Sequence, residues 1–154
     1  PLFNHEYTAT VEACRDYPVI LAADLGLPSN QNRGRWLNGH RSILAEYLEY
    51  RETIGSSQDG TYHNLTTERY ECLNEPLAQW VIDQRREETA EGAFLWGALD
   101  WEPAPGLGFT ESYTCRENSY LLVRQDNVVA LVGCTELDLT NPEYLAIVRA
   151  RLDL

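Results

Sequence analysis

The chain contains no lysine and no methionine. Its 12 basic residues are all arginine and face 24 carboxylates, so the formal net charge at pH 7 is −12. Affinity for DNA or RNA depends on cations that neutralise phosphates, and an anionic membrane surface repels an excess of carboxylates. We therefore expect neither a nucleic acid nor an anionic membrane surface as a partner.

The sequence also lacks an apolar run of about 18 residues, the length that a transmembrane helix requires. A translation product begins with methionine, whereas this chain begins at Pro1. We therefore expect a processed or trimmed start, with room for a signal peptide or lipid anchor outside these residues. The length of 154 residues and the 44% hydrophobic content predict a single folded domain over 1–154.

Motifs of common catalytic and metal sites are missing. No H-E-x-x-H, P-loop, G-x-S-x-G or EF-hand pattern occurs. The histidines lie far apart in the sequence, at His5, His40 and His63. We therefore predict no metal and no cofactor. Glu68, Glu71 and Asp83 would supply an acid/base pair if a cleft brought them together, although chance proximity is expected among so many carboxylates.

The four cysteines, Cys14, Cys72, Cys115 and Cys134, include no C-x-x-C pair, which argues against a zinc ribbon or a thioredoxin-like redox motif. Three interpretations compete: disulfides, buried thiols that act as small hydrophobic side chains, or a chemical role as a metal ligand or nucleophile. Export would favour at least one disulfide, and three pairings are open. Cys115 and Cys134 enclose a loop of roughly 20 residues, whose closure is worth about 3 kcal/mol in the chain-entropy model.

Strand patterns occur in both halves of the chain. Alternating apolar residues indicate a strand over 6–14, and a Thr- and Tyr-rich run indicates one over 61–72. Apolar runs at 119–124 and 127–133 predict a tight hairpin that turns at 125–127. Residues 41–54 fit a helical stripe as well as an alternating strand, so their own pattern leaves the choice open.

Two helices carry start signals. Asn74 precedes Glu75 and Pro76, and Asn141 precedes Pro142, so each helix has a capping residue followed by proline in its first turn. The first helix is predicted to end at Gly92. Its predicted buried stripe contains Leu77, Trp80, Val81 and Gln84, and that of the second contains Tyr144, Leu145, Val148 and Leu152. The fold class is α+β, with two or three helices packed on one face of an antiparallel sheet.

Five segments carry a resemblance to a known group of proteins: YEC, EPLAQWVID, LWGA, SYLLVRQDNVVALV and ELDLT, in this order. Over residues from about 41 to 154 the chain resembles uncharacterised exported or lipoprotein-like cell-envelope proteins of Gram-positive bacteria. The resemblance implies export and a strand at 41–53. It implies no activity.

An aromatic segment, 94-FLWGALDWEP-103, is the most suggestive ligand feature. Its rings and one later tyrosine would form a flat shelf for stacking on a sugar, because aromatic side chains offer a large contact area at low entropic cost. The alternative is that they cap the sheet where a helix packs on it. The candidate ligand-binding residues are Phe94, Trp96, Trp101 and Tyr113.

The run 105-PGLGF-109 resembles the carboxylate-binding loop of PDZ domains, but too few residues follow it to complete such a domain. We expect its glycines to form a turn. The sequence thus predicts an exported, non-enzymatic binding or structural domain at the cell envelope, whose partner is an envelope protein or a glycan. The alternative function is a glycan-acting hydrolase that uses carboxylates and a Trp-lined subsite.

Overall fold

The computed structural model describes residues 5–9, 16–28, 35–55, 62–92 and 97–154. The described strands form one antiparallel sheet, and two α-helices and a 3-10 helix pack against it. The α+β class and the antiparallel sheet are therefore confirmed. The eight strands of the described residues all belong to this sheet, in the order β1-β2-β3-β4-β8-β7-β6-β5.

The elements follow the chain as two strand-rich halves joined by a helix. The first half contains β1 (His5–Ala9), the 3-10 helix (Ala22–Leu25), β2 (Arg35–Arg41), β3 (Ala45–Gly55) and β4 (Tyr62–Cys72). Helix α1 (Glu75–Ala90) follows. The second half contains β5 (Glu102–Pro103), β6 (Glu111–Cys115), β7 (Tyr120–Gln125), β8 (Val128–Cys134) and helix α2 (Pro142–Leu152). Each half is an antiparallel meander, and the two meet where β4 pairs with β8.

The predicted hairpin is confirmed, because β7 and β8 pair in register from Gln125↔Val128 outward. The strand prediction for residues 41–53 is also confirmed from Ala45 onward, and β3 pairs with β4 over its full length. Ser42–Leu44 form the turn before β3. The helical stripe in this segment was misleading, since tertiary pairing outweighs local periodicity in short amphipathic runs. The predicted strand over 6–14 is present at His5–Ala9, and residues 10–15 lie outside the described part of the chain.

The two helices lie on opposite faces of the sheet, whereas the sequence suggested one face. Two adjacent residues of β7, which point to opposite faces, show this. Leu122 belongs to the cluster that contains α1, and Leu121 belongs to the cluster that contains α2 and the 3-10 helix. The physical reason lies in β8, where all seven residues are buried. A strand that is apolar on both faces requires cover on both faces.

Helix α1 begins as predicted but buries a different stripe. The Asn74 side chain accepts a hydrogen bond from the Leu77 N–H at 3.0 Å, and the helix ends just before Gly92. The buried residues are Ala78, Val81, Ile82 and Thr89. Trp80 is exposed, so its predicted place in the core was wrong. The face of α1 that packs on the sheet is therefore the one that carries Ala78, Val81 and Ile82.

The expected disulfide is absent among the described cysteines. Cys72, Cys115 and Cys134 are buried free thiols, and Cys14 lies outside the described residues. Cys115 and Cys134 flank the hairpin in sequence, but β7 separates β6 from β8, which places the two residues about 10 Å apart across the sheet. A disulfide requires Cα atoms within about 7 Å, so this pair cannot form one.

Candidate functional site

A small pocket lies at the β5–β6 edge of the sheet, where the chain turns between these two strands. It has a volume of about 290 Å³. The turn residues and the start of β6 supply its lining: Pro103, Pro105, Gly106, Phe109, Thr110, Glu111, Ser112 and Tyr113. The pocket therefore contains Tyr113, one of the predicted ligand-binding residues, together with part of the PGLGF turn.

An arginine from α2 holds the PGLGF turn in place. The Arg149 guanidinium lies 3.9 Å from the centroid of the Phe109 ring and donates a hydrogen bond to the Leu107 carbonyl. Gly108 has φ +84°, and a Cβ atom there would lie 2.8 Å from Arg149 Nη2. The backbone conformation therefore favours glycine here, and a side chain at this position would also displace the Arg149 guanidinium. As expected, the glycines of this run serve a turn.

Glu111 is the charged group of the pocket, and its carboxylate is held from several directions. Gln79 on α1 donates to Oε2 at 3.0 Å, and the Tyr113 hydroxyl donates to Oε1. Arg124 Nε lies 3.6 Å from Oε2, and Arg86 Nη1 lies 3.9 Å from Oε1. These contacts fix the direction of the carboxylate before any ligand arrives.

The structure places the described residues of the predicted aromatic shelf in different surroundings. Trp101 is half-buried against the α1 side of the core, and its indole N–H donates to Thr89 Oγ1 at 2.7 Å. It is a packing residue, as the alternative interpretation of the aromatic segment held. Tyr113 lines the pocket, and Arg86 lies 4.5 Å from its ring centroid. Phe94 and Trp96 lie outside the described residues.

The Tyr113 hydroxyl also has a charged hydrogen-bond partner, the Glu111 carboxylate. Burial and the hydrogen bond to Glu111 raise the pKa of its hydroxyl above the ordinary value. A phenol that stays protonated keeps donating to the carboxylate at neutral pH. The Tyr113 hydroxyl therefore stays hydrogen-bonded to the Glu111 carboxylate at the edge of the sheet.

The carboxylates singled out from the sequence do not come together. Glu68 is buried under α1, Glu71 is exposed on the opposite face of β4, and Asp83 lies on α1 beside Gln79 and Arg86. Sequence proximity was misleading because alternate residues of a strand point to opposite faces.

Glu68 instead lies in a buried ionic cluster on the α1 face. Arg85 Nε lies 3.0 Å from its Oε1, and Arg85 Nη2 donates to its Oε2 at 3.0 Å. Burial raises the pKa of the Glu68 carboxyl, the Arg85 guanidinium opposes this rise, and Glu49 adds to it. Glu49 stands directly opposite Glu68 in the β3–β4 register and pairs with Arg51 at 2.8 Å. The sequence contains no signal for this arrangement, since it depends on the strand register.

Other described residues add no metal centre. Among them, no group of three or more His, Cys, Asp or Glu side chains is placed to hold a metal ion. His40 stacks on Tyr47, with ring centroids 5.5 Å apart, and nothing is described for the side chains of His5 and His63. Neither described helix has the length and apolarity needed to span a bilayer.

No family model, curated protein or solved structure matches this chain. The resemblance to cell-envelope proteins therefore stays an expectation from the sequence. The pocket and its surroundings are the features of the described residues that bear on function.

Proposed function

We propose that this protein is a non-enzymatic binding domain of the bacterial cell envelope, and that it holds one sugar ring of an envelope glycan in the edge pocket. The observation that carries the proposal is the pocket itself. It combines the rings of Phe109 and Tyr113 with an oriented carboxylate on Glu111.

The size of the pocket supports a small ligand group. Pockets for drug-sized ligands have volumes of roughly 300–1,000 Å³, and this one lies just below that range, at about 290 Å³. One face of each aromatic ring is covered by an arginine, Arg149 on Phe109 and Arg86 on Tyr113. A sugar would therefore stack on the remaining ring surface and donate hydroxyl hydrogen bonds to the Glu111 carboxylate.

The hydrolase alternative is less well supported. A general acid requires a carboxyl group of raised pKa within reach of the substrate. Glu68 has a raised pKa, but its carboxylate is buried against Arg85. Strands β8 and β7 lie between its strand and β6, which puts it about 14 Å from the strand that lines the pocket. Glu68 is better placed to hold α1 on the sheet than to protonate a glycan.

Titration with soluble peptidoglycan fragments and neutral oligosaccharides, followed by isothermal calorimetry, tests the proposal. We expect Tyr113→Ala to weaken binding at least tenfold because it removes a stacking ring. Tyr113→Phe keeps the ring and loses only the hydrogen bond to Glu111, so it should retain binding within a fewfold. Trp36→Ala is the matched control, since Trp36 is an exposed aromatic residue on β2, outside the pocket.

Two results would count against the proposal. One is an affinity that is the same in Tyr113→Ala and in the wild type, which would place the glycan elsewhere. The other is the appearance of new reducing ends during incubation, lost in Glu68→Gln, which would support the hydrolase. Circular dichroism of each variant keeps misfolding from being mistaken for loss of binding.

A further inference from the structure

The hydroxyl groups that line the edge pocket are better placed to accept hydrogen bonds from a ligand than to donate them. Three lining residues carry a hydroxyl group: Thr110, Ser112 and Tyr113. The Ser112 hydroxyl donates its hydrogen to the Ala104 carbonyl at 2.7 Å, and the Tyr113 hydroxyl donates its hydrogen to Glu111. Each of these two oxygens can still accept from a ligand, but neither has a second hydrogen to donate.

Thr110 and Glu111 complete the polar side chains of the lining. Thr110 Oγ1 accepts a hydrogen bond from the Asp126 N–H at 3.1 Å, and its own hydrogen can be donated to a ligand because the residue is exposed. An ionised carboxylate accepts hydrogen bonds and donates none, so Glu111 adds acceptors only. The lining side chains therefore offer a ligand several acceptors and one hydroxyl donor.

The charge at the pocket favours a ligand that donates. Glu111 is the charged residue of the lining, whereas Arg86 and Arg124 approach its carboxylate from outside the lining. Each arginine also pairs with a second carboxylate at 3.4 Å, Arg86 with Asp83 and Arg124 with Glu75. Three carboxylates thus share two guanidinium groups, and one negative charge is left over.

Two further charges next to the lining oppose each other. The Arg149 guanidinium covers the Phe109 ring and donates to the Leu107 carbonyl, and Asp126 is exposed beside Thr110. Their charges cancel in the sum, so the surroundings of the pocket stay negative. Such surroundings attract a ligand cation and repel a ligand anion.

We infer that the pocket selects an amino sugar, a hexosamine ring whose amino group is free and protonated, over N-acetylated and acidic sugars. The inference rests on the proposed glycan-binding function and names the class of sugar. The ring would stack on the aromatic side chains of the pocket, while the ammonium group donates to Glu111 and to the hydroxyl oxygen of Ser112 or Tyr113.

The two competing classes of sugar fit this set of groups less well. Acetylation replaces an ammonium group, which has three donors, by an amide with one donor and a carbonyl acceptor. That carbonyl would have to compete for the Thr110 hydroxyl. A sugar carboxylate would bring a negative charge beside Glu111, where like charges repel.

Calorimetric titration of the wild type with three trisaccharides tests the inference. The probes are the glucosamine trimer, its fully N-acetylated form and trigalacturonic acid, at about pH 6, below the pKa of a typical amine. We expect the glucosamine trimer to bind at least tenfold more tightly than the N-acetylated trimer, and trigalacturonic acid to bind most weakly. This comparison uses the wild-type protein alone and does not depend on the folding of any variant.

Glu111→Gln removes the charge and keeps an acceptor oxygen, so it should bring the affinities for the glucosamine and N-acetylated trimers to within about twofold of each other. Glu102→Gln is the matched control because it makes the same change in net charge. Glu102 is exposed and precedes the lining residue Pro103 on β5, so its side chain points to the opposite face. This control should keep the wild-type preference within about twofold.

The outcomes separate this inference from the proposed function. Equal affinity of the wild type for the glucosamine and N-acetylated trimers, with both weakened by Tyr113→Ala, would overturn the inference and leave glycan binding in place. Absence of binding by all three trisaccharides would overturn both. Binding of putrescine as tightly as the glucosamine trimer would assign the pocket to amines without a sugar ring, and would overturn the inference as well.

Discussion

Two buried glutamates on opposite faces of the sheet are stabilised in different ways. Glu52 on β3 lies on the α2 side, where its Oε2 accepts hydrogen bonds from the Ala22 N–H and the Tyr50 hydroxyl, both at 2.8 Å. Glu68 on β4 lies on the α1 side and faces the Arg85 guanidinium. Both side chains are about 97% or more buried. Glu52 has uncharged donors as partners, whereas Glu68 faces the full positive charge of the Arg85 guanidinium.

The difference shows how each face is held together. On the α2 side, cations also satisfy backbone groups: Arg69 Nε donates to the Leu152 carbonyl at 2.9 Å, and Arg151 Nε donates to the Val19 carbonyl at 3.0 Å. Carbonyl groups do not titrate. The Leu152 carbonyl is one of those at the C-terminal end of α2, which have no partner within the helix. On the α1 side the helix depends on a charge pair, so removal of one partner leaves the other charge buried and unpaired.

The largest expected effect is that of Glu68→Gln, which leaves Arg85 without its buried carboxylate partner. We expect the free energy of unfolding to fall by about 3–5 kcal/mol. Urea unfolding measures it. Glu88→Gln is the matched control, because Glu88 pairs with the same arginine at 2.8 Å but is half exposed, and it should cost less than about 1 kcal/mol. Equal losses in the two variants would show that burial does not decide the strength of this pair.

An effect of intermediate size is expected at high pH. Cys134, a buried thiol on the α2 side of the sheet, titrates there and lowers the free energy of unfolding. Burial raises the pKa of Cys134 to about 12, whereas an unfolded thiol ionises near 8.5. The pKa of Cys134 is higher in the folded than in the unfolded protein. The thiol's contribution to the free energy of unfolding is therefore fully present below the unfolded pKa and is lost as the pH rises towards the folded pKa. Each pH unit above about 9 should therefore cost about 1.4 kcal/mol for this thiol.

Comparison of wild type with Cys134→Ala, by urea unfolding at several pH values from 9 to 11 with reductant present, isolates this contribution. The buried tyrosines and the other three cysteines contribute equally to both proteins, and no lysine titrates in this range because the chain has none. The variant should show the shallower decline in stability. Identical slopes would mean that Cys134 is not shielded from solvent.

The smallest expected effect is that of Glu52→Gln. The amide oxygen can still accept from Ala22 and Tyr50, so the loss is that of charge-assisted hydrogen bonds, about 1–2 kcal/mol of unfolding free energy. Exposed Glu102 supplies the control, and Glu102→Gln should be nearly neutral. A loss in Glu52→Gln as large as that in Glu68→Gln would erase the distinction between the two faces.

Local chemistry was sufficient to predict several elements. The Asp126–Asn127 turn between two apolar runs predicted the β7–β8 hairpin, and Asn74 and Asn141 predicted the starts of both helices. These features depend on neighbouring residues, because a cap or a tight turn is completed within a few positions. Strands β2, β5 and β6 were missed, since they are short and polar and become strands only by pairing with their neighbours.

The amino-acid sequence by itself determined the acidic charge, the α+β class, the hairpin and the helix starts. The tertiary structure alone decided which residues meet. It placed Glu68 beside Arg85 and opposite Glu49, separated Cys115 from Cys134 by a strand, and left Trp80 exposed while Trp101 packed. The physical reason is that strand register and helix rotation are set by the burial of the whole sheet, so contacts between distant residues leave no mark on the local pattern.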